Sequence, residues 1–271
     1  MAERWNLVMV AEGYREVELP SFAAAVDAFV ARLAATPPFD RLISGVNVYR
    51  IDVASTESGA DDPVVAGGGT GRSARTFFDA SFGKDGVHRL LVVDDALVLS
   101  TVGRVFPAWH MIMVLVNSDV YGGSGGSVAV FSKADRAEEI GLHEIGHTAF
   151  HLADEYEYYE GCDTGEDRGH HPGVEPTEPN VTVESDRDRI KWRDLILPST
   201  AVPTMRNPDC RTCDARPSPV ADGTVGAFEG AHYAHCGAFR PEFNCRMRSI
   251  EQPFCAVCSR VIGEALARFI P

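Results

Sequence analysis

The run His143-Glu144-Ile145-Gly146-His147 carries the clearest chemistry in this 271-residue chain. Two histidines four apart on a helix lie on one face, roughly 6 Å apart, so both imidazoles can reach one zinc ion. Glu144 stands one position on, where its carboxylate can reach a metal-bound water and take its proton as general base. The competing reading is a surface helix whose histidines bind nothing. Ile140, Leu142 and Ile145 argue for a packed helix instead, because they give it apolar positions to bury.

The seven cysteines are the second chemical signal, and all lie in the second half of the chain. Cys210-x2-Cys213 with Cys255-x2-Cys258 has the form of a four-thiolate structural zinc site. Cys255 and Cys258 also fall on a helical apolar stripe, so buried thiols are the alternative, and disulfides involving Cys236 and Cys245 are a third arrangement if the protein is exported. His151 extends the histidine spacing by another turn. On a continuous helix it would stand about 12 Å from His143, too far to share an ion. His170-His171, His232 and His235 could be auxiliary ligands, although histidines near loops are usually not. The acidic stretch Asp154–Asp188 reads as a solvated loop, with no EF-hand spacing to support calcium.

The elements that must position these residues follow from apolar patterning. Trp5–Ala11, Val46–Val53, Leu90–Val93, His110–Val116 and Ser127–Phe131 read as short strands. Ser21 can cap a helix running to Ala35 and stopped by Pro37-Pro38. Gly122–Gly126 (GGSGG) lacks the spacing of a nucleotide loop and reads as a turn into the next strand. Ser132 and Asp135 resemble a capping box opening the helix of the histidine motif, with no proline before Tyr156. A further helical stripe follows Pro253. These elements predict an α/β (α+β) fold with a twisted, mostly parallel or mixed sheet.

Composition narrows the partners. Lys plus Arg is 25 against 39 Asp plus Glu, a formal charge of −14, which argues against nucleic acid and anionic membrane surfaces. No apolar run approaches the roughly 18–20 residues of a membrane span. The opening residues do not form a signal peptide, so a reduced, cytoplasmic setting is expected, or a secreted one if a leader has been removed.

The segment His143–Tyr156, HEIGHTAFHLADEY, resembles the motif of the bacterial IgA-peptidase family of zinc metallopeptidases. Gly13-Tyr14, the GGSGG loop, Pro179–Thr182, Lys191–Arg193, Glu229–Tyr233, Asn244–Met247 and Phe254–Cys258 match in the family's order, so the resemblance spans nearly the whole chain. It implies a metzincin-like fold: a single catalytic domain, with an upper sheet-and-helix subdomain over 1–153 and an irregular lower subdomain over 154–271. It also implies that Met247 lies in a turn beneath the zinc. The wider metzincin pattern is not matched everywhere: Phe150 stands where that pattern has glycine, Ala153 where it has a third histidine, and Ser249 where a tyrosine is common.

A catalytic zinc needs about three protein ligands, and two histidines are not enough. The resemblance favours a carboxylate of the Asp154-Glu155 pair, with Asp154 the expected ligand and Glu155 its competitor. Asp154 can serve only if the helix ends near Phe150 to Leu152. Tyr233 is the candidate donor to a developing oxyanion, or else an ordinary packing residue. The expected activity is a zinc metalloendopeptidase acting on a protein or peptide substrate laid along the Ser127–Phe131 strand. The alternatives are a non-catalytic metal-binding recognition module, which would have no use for Glu144, and a zinc hydrolase of a non-peptide amide.

Overall fold

The computed structural model describes residues 3–158, 162 and 168–270. It has the predicted α+β character and resolves into two compact units, Met1–Ala149 with Leu266–Pro271, and Phe150–Ala265.

The first unit is built on a five-stranded sheet. Its strands are β1 (Trp5–Glu12), β2 (Val46–Ile51), β3 (Met111–Val116), β4 (Gly123–Ser124) and β5 (Ala129–Ser132), in the order β2-β1-β3-β5-β4. All neighbours run parallel except β4 and β5. β3 is six buried apolar residues in succession, Met-Ile-Met-Val-Leu-Val, the composition of a strand covered on both faces. Helix α1 (Leu19–Ala35) buries Phe22, Val26, Phe29 and Leu33, a 4-3-4 stripe. It begins one turn earlier than the Ser21 cap predicts, because Pro20 fits the first helical turn, where its missing N–H costs nothing. A single short turn, α2 (Phe39–Leu42), leads to β2. Helix α3 (Asp95–Val105) is capped by Asp94, whose carboxylate accepts the Leu97 N–H at 2.9 Å.

Leu90–Val93 forms isolated bridges rather than a strand, Leu90 to Gly123 and Val92 to Ser81. At the end of β1, buried Glu12 accepts the N–H groups of Phe78 and Ala80, both at 3.0 Å, and so pins a long connection to the sheet. Burial pushes the Glu12 carboxyl above its usual range. Gly13 (φ 70°) must be glycine, since a Cβ there would lie 2.0 Å from the Gly59 carbonyl oxygen.

The histidine motif lies on α4 (Ala137–Phe150). Ser132 ends β5 rather than capping this helix, and the chain enters it through Arg136 at φ 65°.

The second unit has little regular structure: a three-stranded sheet of β6 (Arg168–His170), β7 (Phe228–Ala231) and β8 (Ala234–Arg240) in the order β6-β8-β7, and helix α5 (Ala256–Leu266). Two cations, half-buried Lys191 and buried Arg240, tie its loops by donating to backbone carbonyls. Lys191 Nζ reaches the oxygens of Pro176, Glu178 and Val181, and Arg240 those of Glu229, Gly230 and Phe243. Burial pulls the Arg240 guanidinium down to about 9. Trp192, fully buried, donates its indole N–H to the Gly226 oxygen at 2.7 Å. Two disulfides, Cys162–Cys213 and Cys210–Cys236, staple the same unit. Among the described residues no single helix is long and apolar enough to cross a membrane. The one bent pair that would pass by length and composition, Glu16–Ala35 with Phe39–Gly45, turns by 97° at its break.

Candidate active site

On α4 the 3.6-residue period brings His143 and His147 to one face, with their Nε2 atoms 3.0 Å apart and the rings nearly perpendicular. Donors to one tetrahedral ion at bonds of 2.0–2.1 Å stand about 3.3 Å apart, so the pair fits a shared zinc. His143 and Glu144 are buried at 8% and 7% exposure, while His147 is half-buried.

The glycine loop, read from the sequence as a turn, lies directly on this helix. A Cβ on Gly123 would fall 2.7 Å from Glu144 Oε1, and one on Gly125 would fall 2.6 Å from His147 Cβ. The Gly126 N–H donates to the Thr148 hydroxyl at 3.3 Å. The other side of the helix is equally close: a Cβ on Gly141 would meet Phe29 at 2.7 Å. Glycine therefore lets backbone approach Glu144 and His147 where no side chain fits. Strand β5, expected to offer a free edge, is paired on both sides, with β3 and with β4. The outer position in the sheet belongs to β4, next to the motif helix.

Helix α4 ends at Phe150, and His151 follows at φ 52°, in the left-handed region. This is how the chain leaves the helix early enough without the glycine of the wider metzincin pattern; a non-β-branched residue takes that conformation at modest cost. His151 itself is exposed.

The next residues are gripped from several directions within the second unit. Asn180 accepts the Ala153 N–H and returns a bond to the Ala153 oxygen. The Met247 oxygen accepts the Glu155 N–H at 2.7 Å. The tip of the β7–β8 hairpin donates twice, from the His232 N–H to the Asp154 oxygen and from the Tyr233 N–H to the Tyr156 oxygen, both at 3.1 Å. That tip is a two-residue loop between the paired residues Ala231 and Ala234, with His232 and Tyr233 both at positive φ (53° and 62°). Asn-Gly is the usual filling of such a turn, so two bulky residues there mark a position held by its surroundings.

The Asp154 carboxylate accepts hydrogen bonds from the hydroxyls of Tyr156 (2.7 Å) and Tyr233 (2.5 Å), both on Oδ2. The Glu155 carboxylate instead meets Asn180 Nδ2 and the thiols of Cys255 and Cys258. Asp154, Glu155 and Glu157 are all buried, so the acidic stretch is not a solvated loop at its start; residues 159–161 and 163–167 of that stretch lie outside the described residues. Met247 is fully buried.

The four-thiolate reading needs correction. Cys210 is bonded to Cys236 and Cys213 to Cys162, so neither offers a thiolate. Cys255 and Cys258 stand instead with Cys245 and Glu155. Of the outlying histidines, His171 Nε2 and His232 Nδ1 lie 3.0 Å apart, and His235 is buried with its Nε2 3.8 Å from the Cys213 sulfur. Sequence reasoning missed the contacts of Gly123 and Gly125, the partnership of Cys245 and the tyrosine pair on Asp154. For the glycines a signal was present, since four in five residues is more than a turn requires.

A comparison with curated proteins gives no match. The family model of IgA peptidase M64 matches residues 1–216 and 213–266, nearly the whole length. The chain therefore belongs to the IgA peptidase M64 family.

Proposed function

We propose that the protein is a zinc-dependent endopeptidase with Glu144 as general base and His143, His147 and Asp154 as metal ligands. Membership in a peptidase family carries the coarser statement, a peptidase with a protein or peptide substrate. The observation that supports the finer one most is the pair of converging imidazoles with a buried glutamate between them on one helix.

Zinc bound there would polarise the scissile carbonyl and acidify the attacking water. Glu144 would take a proton from the attacking water and return it to the leaving amine. The Gly123 backbone, close against the Glu144 carboxylate, limits its swing and keeps bulk away from it. Asp154 is suited to a ligand's task because its main chain is fixed by bonds from flanking elements and its carboxylate is oriented by Tyr156 and Tyr233. The Tyr233 hydroxyl donates a hydrogen bond to Asp154 here; in the reading proposed it turns toward the oxyanion as substrate binds, leaving Tyr156 to hold the carboxylate. An extended peptide would run along the β4 side of α4, where the Gly123 and Gly125 backbone lies close to the helix.

Incubation with casein and with a mixed peptide library, each with and without chelator, tests this reading. Cleavage that stops with chelator and returns with added zinc is expected. Cleavage indifferent to chelator would remove the metal from the mechanism. The two disulfides bear on the compartment, because such bonds persist in oxidising surroundings. Trapping thiols at lysis tests the reduced-compartment expectation, which requires these four cysteines to be found free.

A further inference from the structure

We propose that Glu155, Cys245, Cys255 and Cys258 form a second, closed zinc site whose role is structural. The proposal does not rest on the peptidase reading.

The four donor groups gather with ligand atoms all within 4.8 Å of one another. The Cys245 and Cys258 sulfurs are 3.7 Å apart, and Glu155 Oε1 lies 3.4 Å from the Cys258 sulfur and 3.8 Å from that of Cys255. A tetrahedral zinc with sulfur bonds of 2.3 Å and an oxygen bond near 2.0 Å has edges of about 3.8 Å between sulfurs and about 3.5 Å from sulfur to oxygen. The three spacings given lie within about 0.3 Å of those edges.

Burial separates this cluster from a catalytic centre. Glu155, Cys245 and Cys258 have no exposed surface and Cys255 has 2%. A catalytic ion keeps a position open to water, whereas four protein donors in a closed pocket describe a structural one. The Glu155 Oε2 atom is buried without a hydrogen-bond partner among the described residues. A buried carboxylate left in that state is costly, and a cation among the four donors removes the cost. The backbone is arranged for thiolates. The Cys255 N–H donates to the Cys245 sulfur at 3.3 Å and the Cys258 N–H to the Cys255 sulfur at 3.4 Å. Cys255 immediately precedes α5 and Cys258 lies in its first turn, where the helix dipole favours negative charge. The three thiols release their protons to solvent as the ion binds. A Cys245–Cys258 disulfide is the rival arrangement, but it would use up two of the four donors and leave Glu155 Oε2 without a hydrogen-bond partner among the described residues.

The consequence is positional. The ion would join three separate stretches: the segment after α4, the turn that precedes Met247, and the start of α5. Glu155 adjoins Asp154, so the same ion would hold the backbone of the neighbouring carboxylate in place.

The test uses the full chain carrying His143→Ala and His147→Ala, which removes the helix imidazoles, so the outcome is independent of the peptidase reading. One zinc per chain should remain, and replacement by cobalt should give strong thiolate-to-cobalt charge-transfer absorption in the near ultraviolet. Adding Cys258→Ser should abolish both metal and band. If that variant does not fold, Cys255→His decides: it should keep one metal and lose about a third of the charge-transfer intensity. Metal-free protein in the histidine variant, iron in place of zinc, a band unchanged by either cysteine substitution, or a Cys245–Cys258 disulfide found by mass spectrometry would each overturn the proposal.

Discussion

Each of the two units of this protein is stabilised internally by different means. The first buries a mostly parallel sheet whose central strands β1 and β3 are largely apolar, with α1 and α3 contributing amphipathic stripes. The second has three short strands and relies on individual fastenings: two disulfides, Lys191 and Arg240 donating to carbonyls, Trp192 bonded to Gly226, and the thiol cluster around Glu155. A distributed hydrophobic core tolerates the loss of one contact, whereas a structure hung on a few fastenings does not. The donor groups differ in the same way. The imidazole pair of α4 is partly open, as chemistry requires, and the thiol cluster is shut, as holding requires.

The largest expected effect separates those two clusters. A chelator should abolish peptide hydrolysis well before Cys245, Cys255 and Cys258 become reactive to a thiol reagent. Simultaneous loss of activity and thiol protection would erase the distinction between an open and a closed site. Next comes the replacement of Cys210 and Cys236 by serine. A closed loop of 26 residues restricts the unfolded chain by about 3.5 kcal/mol. Urea unfolding should show a loss of that order, and a loss under about 1 kcal/mol would mean the second unit is less dependent on its staples than argued.

The glycine loop offers a smaller and more selective change. Gly125→Ala places its methyl against His147 Cβ, an atom that cannot rotate away, and should cost about 1–3 kcal/mol in thermal or urea unfolding. Gly123→Ala meets first the end of the Glu144 side chain, which can move, and then Ile140 Cγ2 at 3.0 Å and the Val130 oxygen at 3.1 Å, where shifts of a few tenths of an ångström suffice. Stability should change by less than about 1 kcal/mol while kcat falls at least about tenfold, since small displacements of a catalytic group are expensive. Equal effects of the two alanines on stability and rate would contradict this division. The smallest effect belongs to Met247→Leu, which keeps volume and leaves intact the backbone oxygen that accepts the Glu155 N–H. A stability loss below about 1.5 kcal/mol is expected.

Legibility in the sequence follows the same divide. Strands β1 and β3 are readable because central strands buried on both faces need apolar runs, β2 because its side chains alternate at the sheet edge, and the motif helix because its donors repeat at the helical period. Local pattern did not mark the helix end at Phe150, since His151 takes a left-handed conformation that usually calls for glycine or asparagine. The cysteine partners were illegible for a different reason. Two Cys-x2-Cys pairs suggest each other by form, yet chain topology pairs Cys210 with Cys236, Cys213 with Cys162, and Cys255 and Cys258 with Cys245. The family-like blocks Pro179–Thr182, Glu229–Tyr233 and Asn244–Met247 contain Asn180, the His232-Tyr233 tip and Met247, which all bond to the Ala153–Tyr156 segment. Their spacing could not have shown that common target, because it is set by tertiary contact.

The central claim is that Glu144 moves the proton in a metal-dependent cleavage of peptide bonds. Glu144→Gln keeps the shape of the side chain and cannot accept that proton. Hydrolysis of a peptide library, followed by mass spectrometry alongside metal analysis, should show turnover reduced by about 10²–10⁴-fold with metal content equal to the parent's. Turnover within tenfold of the parent, at equal metal content, would contradict the account.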